Sequence, residues 1–386
     1  MSVSRLENVT PIGVEQMGDL ADSMADPDLL RLENLDTNIP PPDVAIATTR
    51  AAAGDDDANS YLPFLGMSDL RRAAAQRVAA DCGQPVDWKT QCIISAGGLS
   101  GILNVLLATL EPGDEVLLTD PTYVGLLNRV RLAGGVPRLV PLLPTAEGWR
   151  LDLDALANLD VSGIRLVLMM SPSMPTGAVL QFNEWQALAD VCERANAWLL
   201  NDAAMERILF DGRTVLHPGG MPELKDRVIT VGAASKEYRM IGWRVGWVVG
   251  PPSIIADVAR VSISNVVCQT GIAMRAVAEA ITADNDGIAA SAAELEQRRD
   301  LLLTELVDYA PVPPHGGWSM LIDTTPLGMT AAQASAQLLK HGQVAATPMT
   351  NWGGKATTNY LRLVFSNESV ERLADIRSRF ARAFER

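Results

Sequence analysis

One lysine and two arginines stand where they have more to do than keep a surface wet. Lys236 follows an apolar run, Arg227-Val-Ile-Thr-Val231, and the small residues Gly232-Ala-Ala-Ser235. A lysine that ends a buried strand is costly unless its amine is neutral, paired or covalently used. That makes it a candidate for a Schiff base with an aldehyde cofactor. The plain alternative is a long cationic side chain that reaches back to solvent. Arg244 follows eight residues later, in Gly242-Trp-Arg-Val-Gly-Trp247, and Arg362 sits inside the apolar run Tyr360-Leu-Arg-Leu-Val-Phe365.

An aldehyde cofactor with a phosphate tail sets further requirements: an anion cradle, an acid opposite the ring nitrogen, and a flat group on the ring. Gly97-Gly98-Leu99-Ser100 opens a stretch with helical spacing and offers backbone N–H groups to a phosphate. Arg244 is placed to add a charge-assisted contact. Asp202 ends another apolar run and suits the ring nitrogen, whose proton makes the ring an electron sink. Tyr123 suits the ring face. Each has a plainer reading: Asp202 as a helix N-cap, Arg362 as an ion-pair partner, Tyr61 and Tyr123 as core filling.

The elements that position these residues alternate. Strands are expected at 92–95, 115–118, 138–141, 164–170, 197–200, 227–231 and 245–249, with helices between them. The nearly all-apolar Ile164–Met170 run suits the middle of a parallel sheet. Glycine-rich or polar loops and Lys236 fall at the C-terminal ends of these strands, the edge where open parallel sheets bind ligands. Upstream, a helix is expected over 43–53, and Ser68 is expected to cap another. Beyond Pro251, long alanine-rich helices are expected over 254–283 and 288–308. A strand over 313–323, a helix over 330–341, a strand over 360–365 and a last helix over 368–385 follow.

Bulk properties narrow the partners. The chain has 386 residues, 48% hydrophobic and 20% charged, enough for a large and a smaller domain. A net charge of -14 argues against nucleic acid or an anionic membrane. No long apolar span or signal-peptide pattern is present. Cys82, Cys92, Cys192 and Cys268 are scattered, and the three histidines have no close Cys or His partner, so a reducing cytoplasm is expected and a metal site is not.

Taken together, these motifs resemble the fold-type-I, pyridoxal-phosphate-dependent class I/II aminotransferases. The resemblance implies a three-layer α/β/α large domain with a mostly parallel seven-stranded sheet, over 46–285. It also implies a smaller α+β domain from 1–45 and 286–386, and a cytoplasmic homodimer with shared active sites acting on an amino acid and a 2-oxo acid. Ser235-Lys236 looks like the Schiff-base lysine, Asp202 the pyridine-nitrogen acid, Gly98 and Leu99 part of the cofactor site, and Arg244 the phosphate arginine. Tyr123 resembles the stacking aromatic, Arg362 the substrate-carboxylate arginine, and Tyr61 the tyrosine lent across the dimer. Asn38, Trp318, Met349 and Trp352 are expected pocket residues from their loop positions. In Ser171-Pro-Ser-Met-Pro-Thr-Gly177, Met174 stands where the family has asparagine, and Met205 stands where it has tyrosine. Both normally donate to the cofactor's phenolic oxygen, so the Schiff-base nitrogen is expected to hold its proton more tightly here. The alternative is a donor from water or Tyr238. Ala233 replaces a phosphate-binding serine, and the family's Gly-x-Pro-Asp loop is not recognisable around 35–42. The alternative functions are elimination, racemisation or an oxidative or cyclising reaction on the same cofactor, or a ligand-sensing module without catalysis.

Overall fold

The computed structural model describes Val3 and residues 6–385; the rest of the expected N-terminal arm (1, 2, 4 and 5) and residue 386 lie outside the described residues. The alternation of apolar runs and helices builds a single large sheet. Its strands are β1 (Cys92–Ser95), β2 (Glu115–Asp120), β3 (Val136–Thr145), β4 (Gly148–Leu151), β5 (Ile164–Met170), β6 (Trp198–Asp202), β7 (Val228–Ala233) and β8 (Gly246–Val249). They lie in the order β1-β8-β7-β6-β5-β2-β3-β4. The run from β7 through β3 is parallel, while β8 is antiparallel to both β1 and β7.

The seven expected strands all form, but the sheet has eight. The extra one, β4, closes a hairpin with β3 through Ala146-Glu147, pairing Leu142 with Leu151. A two-residue turn without Asn-Gly or Asp-Gly carries little sequence signal. Gly148 makes it possible with a backbone φ of 124°.

Side chains alternate across this sheet, as a strand's period of two requires. Ile93, Val116, Leu118, Leu166, Leu168, Val231 and Val248 pack on one face. Cys92, Ile94 and Trp247 face the other way at one end, and Leu117, Val167 and Leu199 do so further along. The helices are α1 (Val14–Met24), α2 (Ser68–Cys82), α3 (Gly98–Thr109), α4 (Val124–Leu132), α5 (Phe182–Ala195), α6 (Ala234–Glu237), α7 (Pro252–Asn265) and α8 (Gly271–Thr282). Residues of α3, α4 and α7 join the first face. Those of α2 and α8 cover one end of the second face, and those of α5 cover the rest. The result is three layers.

Several helix expectations need correction; the one over 368–385 forms as two pieces, Val370–Leu373 and Ile376–Phe384. Ser68 is the first residue of α2, and the capping position is Met67, which makes no side-chain cap. The stretch expected as one helix over 254–283 breaks into α7 and α8. Val267 takes a left-handed backbone (φ 68°), which interrupts helical hydrogen bonding. Gly271 then lets α8 pass so close to the 56–59 turn that a Cβ there would meet the Ala58 carbonyl.

Beyond the large sheet, β9 (Ser319–Asp323), β10 (Thr347–Pro348) and β11 (Tyr360–Val364) form an antiparallel sheet with β11 in the centre. The N-terminal segment is sewn to this part of the chain. Leu30–Arg31 pairs in parallel with Val344–Ala345, and the Val364 N–H donates to the Leu32 carbonyl. Among the described residues no helix is long and apolar enough to cross a membrane.

Candidate active site

The strand order decides which loops meet. The C-terminal ends of β1, β7, β6, β5 and β2 share one edge with the start of β8. Along that edge come Gly98, Arg244, Lys236, Asp202, Met174 and Tyr123, and all six line one cleft of about 310 Å³.

Strand β7 is buried along its whole length and ends in the single turn α6, which carries Lys236. The Lys236 Nζ donates to the Leu35 carbonyl at 2.9 Å and sits 4.4 Å from the centre of the Trp318 ring. Burial lowers the pKa of this amine to about 7, helped by the positive charges of Arg362 and Arg244 and opposed by Asp36. A neutral amine is the form that attacks an aldehyde.

Beside it lies an anion cradle. Gly97 has a φ of 83° and precedes the first turn of α3, whose N–H groups have no partner within the helix. A Cβ on Gly97 would stand 2.5 Å from Arg244 Nη2, so only glycine admits the arginine. Arg244 Nη1 donates to the Ile241 carbonyl at 2.7 Å and to Ser235 Oγ at 3.3 Å. Ala233 lines the cleft without offering a polar atom.

Asp202 is at the end of β6. Burial raises its carboxyl to about 6, while a hydrogen bond from the Ala204 N–H at 3.2 Å and the charge of Arg129 pull the other way. A cationic ring nitrogen beside it would favour the carboxylate. Tyr123 caps the start of α4, with its ring 5.4 Å from that of Trp352.

Arg362 lies in the middle strand of the small sheet and is 1% exposed. Its Nη2 donates to the Glu33 carbonyl at 2.5 Å and to Thr347 Oγ1 at 3.3 Å, and its guanidinium lies 4.6 Å from the Trp352 ring centre. Burial lowers its pKa to about 10, so it stays charged at neutral pH. Its Nη1 meets only Met174 Sδ, at 3.8 Å, and its Nε has no hydrogen-bond partner among the described residues. Half of a fork suited to a carboxylate is thus uncommitted beside the lysine.

Met205 and Ser235 complete the expected lining. Five expected residues are not in the lining of the cleft. Asn38 is exposed and outside the cleft; Asn34 and Leu35 of the same segment occupy its place, because the chain bends at 33–34 and turns the later residues outward. Tyr61 is 85% exposed and does not line the cleft of its own chain. Met349 is buried outside the lining, and Trp318 and Trp352 act from behind it, under Lys236 and Arg362. Tyr238 is buried in the α2–α8 layer and does not face the cleft.

Sequence reasoning missed several contributors. Arg129 holds the cradle, donating from Nε to the Leu99 carbonyl at 3.0 Å and from Nη1 to the Gly125 carbonyl at 2.8 Å. Its only signal was its place one helical turn after Gly125. Ile12, Val14 and Glu15 at the start of α1 and Ile241 form the outer wall.

The donor set fits an aldehyde cofactor with a phosphate tail: a half-buried amine of lowered pKa, a glycine-shaped cradle with an arginine, and a buried carboxyl one strand away. No group of three or more metal-ligating side chains occurs among the described residues.

Comparison with known proteins gives the family. Residues 31–376 match the aminotransferase class I and II family. The chain is 32% identical over 319 residues to the arginine–pyruvate transaminase AruH of Pseudomonas aeruginosa, covering 81% of this chain and 79% of that one. It is 32% identical over 360 residues to a probable N-succinyldiaminopimelate aminotransferase, DapC, of Mycobacterium tuberculosis, covering 91% and 88%. Among solved structures, the Mycobacterium tuberculosis N-succinyldiaminopimelate aminotransferase superposes with a TM-score of 0.92 at 28% identity, covering 99% of both chains. The Thermus thermophilus aspartate aminotransferase with maleate gives 0.90 at 29%, covering 99% and 100%. The family works through pyridoxal 5'-phosphate, for which the cleft has the required groups, and the chain belongs to the class I and II aminotransferases.

Proposed function

We propose that the chain carries an amino group from a 2-amino acid to a 2-oxo acid, with Lys236 as the residue that holds the cofactor and moves the proton. The observation that carries this assignment is the Lys236 amine: half-buried, its pKa lowered to about 7, and lining one cleft with Gly98 and Arg244 of the cradle and with Asp202. Pyridoxal 5'-phosphate supplies an aldehyde that captures amines and a ring that accepts the electron pair left when the substrate's α proton departs. The N–H groups of Gly98 and Leu99, Ser235 and Arg244 hold its phosphate. Asp202 keeps a negative charge against the ring nitrogen, an electrostatic role. Tyr123 covers the ring. Lys236 Nζ would take the substrate's α proton as general base. The Arg362 guanidinium binds the α-carboxylate and fixes its orientation.

In this reading the enzyme is a cytoplasmic homodimer, and the exposed ring of Tyr61 faces the phosphate of the other subunit's site. Residues 46–285 form the cofactor domain; 1–45 and 286–386 form the smaller one that brings Arg362. The names of the relatives span basic, acylated and acidic amino donors. A panel of amino acids, each with and without a 2-oxo acid, tests the reading. Turnover that requires the oxo acid and disappears in Lys236→Ala is expected. Turnover without an oxo acid, or full activity in Lys236→Ala, overturns it.

A further inference from the structure

The constitution of pyridoxal phosphate and the strand order together assign a side of the cleft walled by two thioethers; the donor that reaches them, Arg362 Nη1 at 3.8 Å from Met174 Sδ, is the one assigned to the substrate's carboxylate. Around the pyridine ring the order is nitrogen, methyl carbon, hydroxyl carbon, aldehyde carbon, phosphate-arm carbon. With the arm at Gly98 and Arg244, the aldehyde at Lys236 and the nitrogen at Asp202, the hydroxyl edge lies opposite the arm. Along the sheet edge that is the side after Lys236 and Asp202, where β5 ends. Two buried side chains furnish it: Met174, 6% exposed, and Met205, 1% exposed. A thioether accepts weakly and donates nothing. Ala204, between Asp202 and Met205, adds no side-chain donor, and Tyr238 faces another layer of the molecule.

We propose that Met174 and Met205 withhold hydrogen bonds from the cofactor's ring hydroxyl oxygen and so keep the proton on the cofactor-bound Lys236 nitrogen to higher pH than a polar rim would allow. This rests on the assignment of Lys236 as the cofactor lysine. That nitrogen and the ring oxygen share one proton. When it leaves, the oxygen keeps a full negative charge, and a donor to the oxygen stabilises that state most. Without a donor, the proton leaves later. The two methionines are positioning residues: they act through the cofactor, and the substrate does not need to touch them.

Charged and titratable groups face this nitrogen from every side. Asp36 comes from the N-terminal segment, Glu15 from α1, Tyr123 from α4, and Arg129 from behind it. Asp202 comes from β6, Arg244 from the start of β8 and Arg362 from β11. Arg362 Nη1 reaches Met174 Sδ and favours loss of the proton by its charge. None of these groups is itself altered when a methionine is exchanged; the leucine exchange reads the effect of losing the Sδ contact with Arg362, and the glutamine exchange adds the donor.

The experiment is a pH titration of the visible absorbance of the holoenzyme, comparing wild type with Met174→Gln and Met205→Gln. Met174→Leu and Met205→Leu serve as controls of equal bulk without a donor. Each glutamine variant is expected to lower the apparent pKa by about one unit, and the leucine variants to leave it in place. If both glutamine variants titrate with wild type, or the leucine variants shift as far as the glutamines, the proposal is overturned. If wild type forms no lysine-bound chromophore, or Lys236→Ala forms the same one, the cofactor assignment itself falls. Either glutamine variant alone decides the matter if the other fails to fold.

Discussion

The two ends of the cleft are built from opposite materials. At the cradle end every contact is directional: Gly97 is confined to a left-handed backbone, Arg244 is pinned to the Ile241 carbonyl and Ser235, and Arg129 ties Leu99 to Gly125. At the other end Met174 and Met205 offer soft, adaptable surface and no donor. Directional contacts to a phosphate give affinity without touching the reacting atoms. The character of the opposite edge acts on the electron distribution of the ring. Binding and tuning are thereby assigned to separate places, and each is open to substitution without disturbing the other.

That separation makes unequal predictions. Arg362→Gln removes the charged fork beside both ends, and catalytic efficiency is expected to fall about 100-fold. The cofactor absorbance should be retained; its loss would mean that Arg362 serves the cofactor and not the substrate. Arg244→Gln is expected to weaken cofactor affinity by about 10–100-fold in an equilibrium titration, with the spectral pKa nearly unmoved. A large spectral shift with intact affinity would erase the distinction between the two ends. Gly97→Ala puts a Cβ against Arg244 at a left-handed position and is expected to cost about tenfold in cofactor affinity. Equal affinity would show that the arginine has another place to go.

A further effect concerns the lysine between the ends. In the cofactor-free protein its pKa is lowered to about 7 from the ordinary 10.5. Between those values the unfolded chain binds a proton that the folded one does not, so stability rises with pH across the window. Asp202, raised to about 6 from 3.8, contributes stability below 3.8 and loses it as pH rises through 6, outside that window. Urea unfolding of the cofactor-free wild type against Lys236→Met is expected to favour wild type progressively from about pH 7 to 10.5. A difference that is flat or moves the other way would mean that the amine is charged inside the fold.

Much of this was legible in the sequence because the residue types themselves carry the physics. A paired glycine before a helix, an acid at a strand end and a lysine after small residues each narrow the chemistry, and their order fixes a shared edge. What was not legible came mostly from backbone. The Leu35 and Glu33 carbonyls hold Lys236 and Arg362, yet a carbonyl is common to every residue, so nothing in the letters marks them. Asn38 was chosen for its loop position, but Asn34 and Leu35 of the same segment, at and just after the bend at 33–34, line the cleft instead. The hairpin strand β4 and the break after Asn265 were missed for the same reason: each depends on one unusual backbone angle, at Gly148 and at Val267. Arg129 escaped notice because it grips main-chain oxygens, which leave no complementary residue to spot.

Those two carbonyls have a consequence for how the site keeps its dimensions. They belong to residues 33 and 35, and two residues of chain span no more than about 7 Å. One tie fixes the Lys236 amine and the other fixes the Arg362 guanidinium, the group proposed to take the carboxylate, with Thr347 bracing the Glu33 carbonyl at 3.0 Å. The segment therefore works as a gauge block set between the two halves of an amino acid's recognition. If it shifts, both halves lose their reference together, and neither can drift alone.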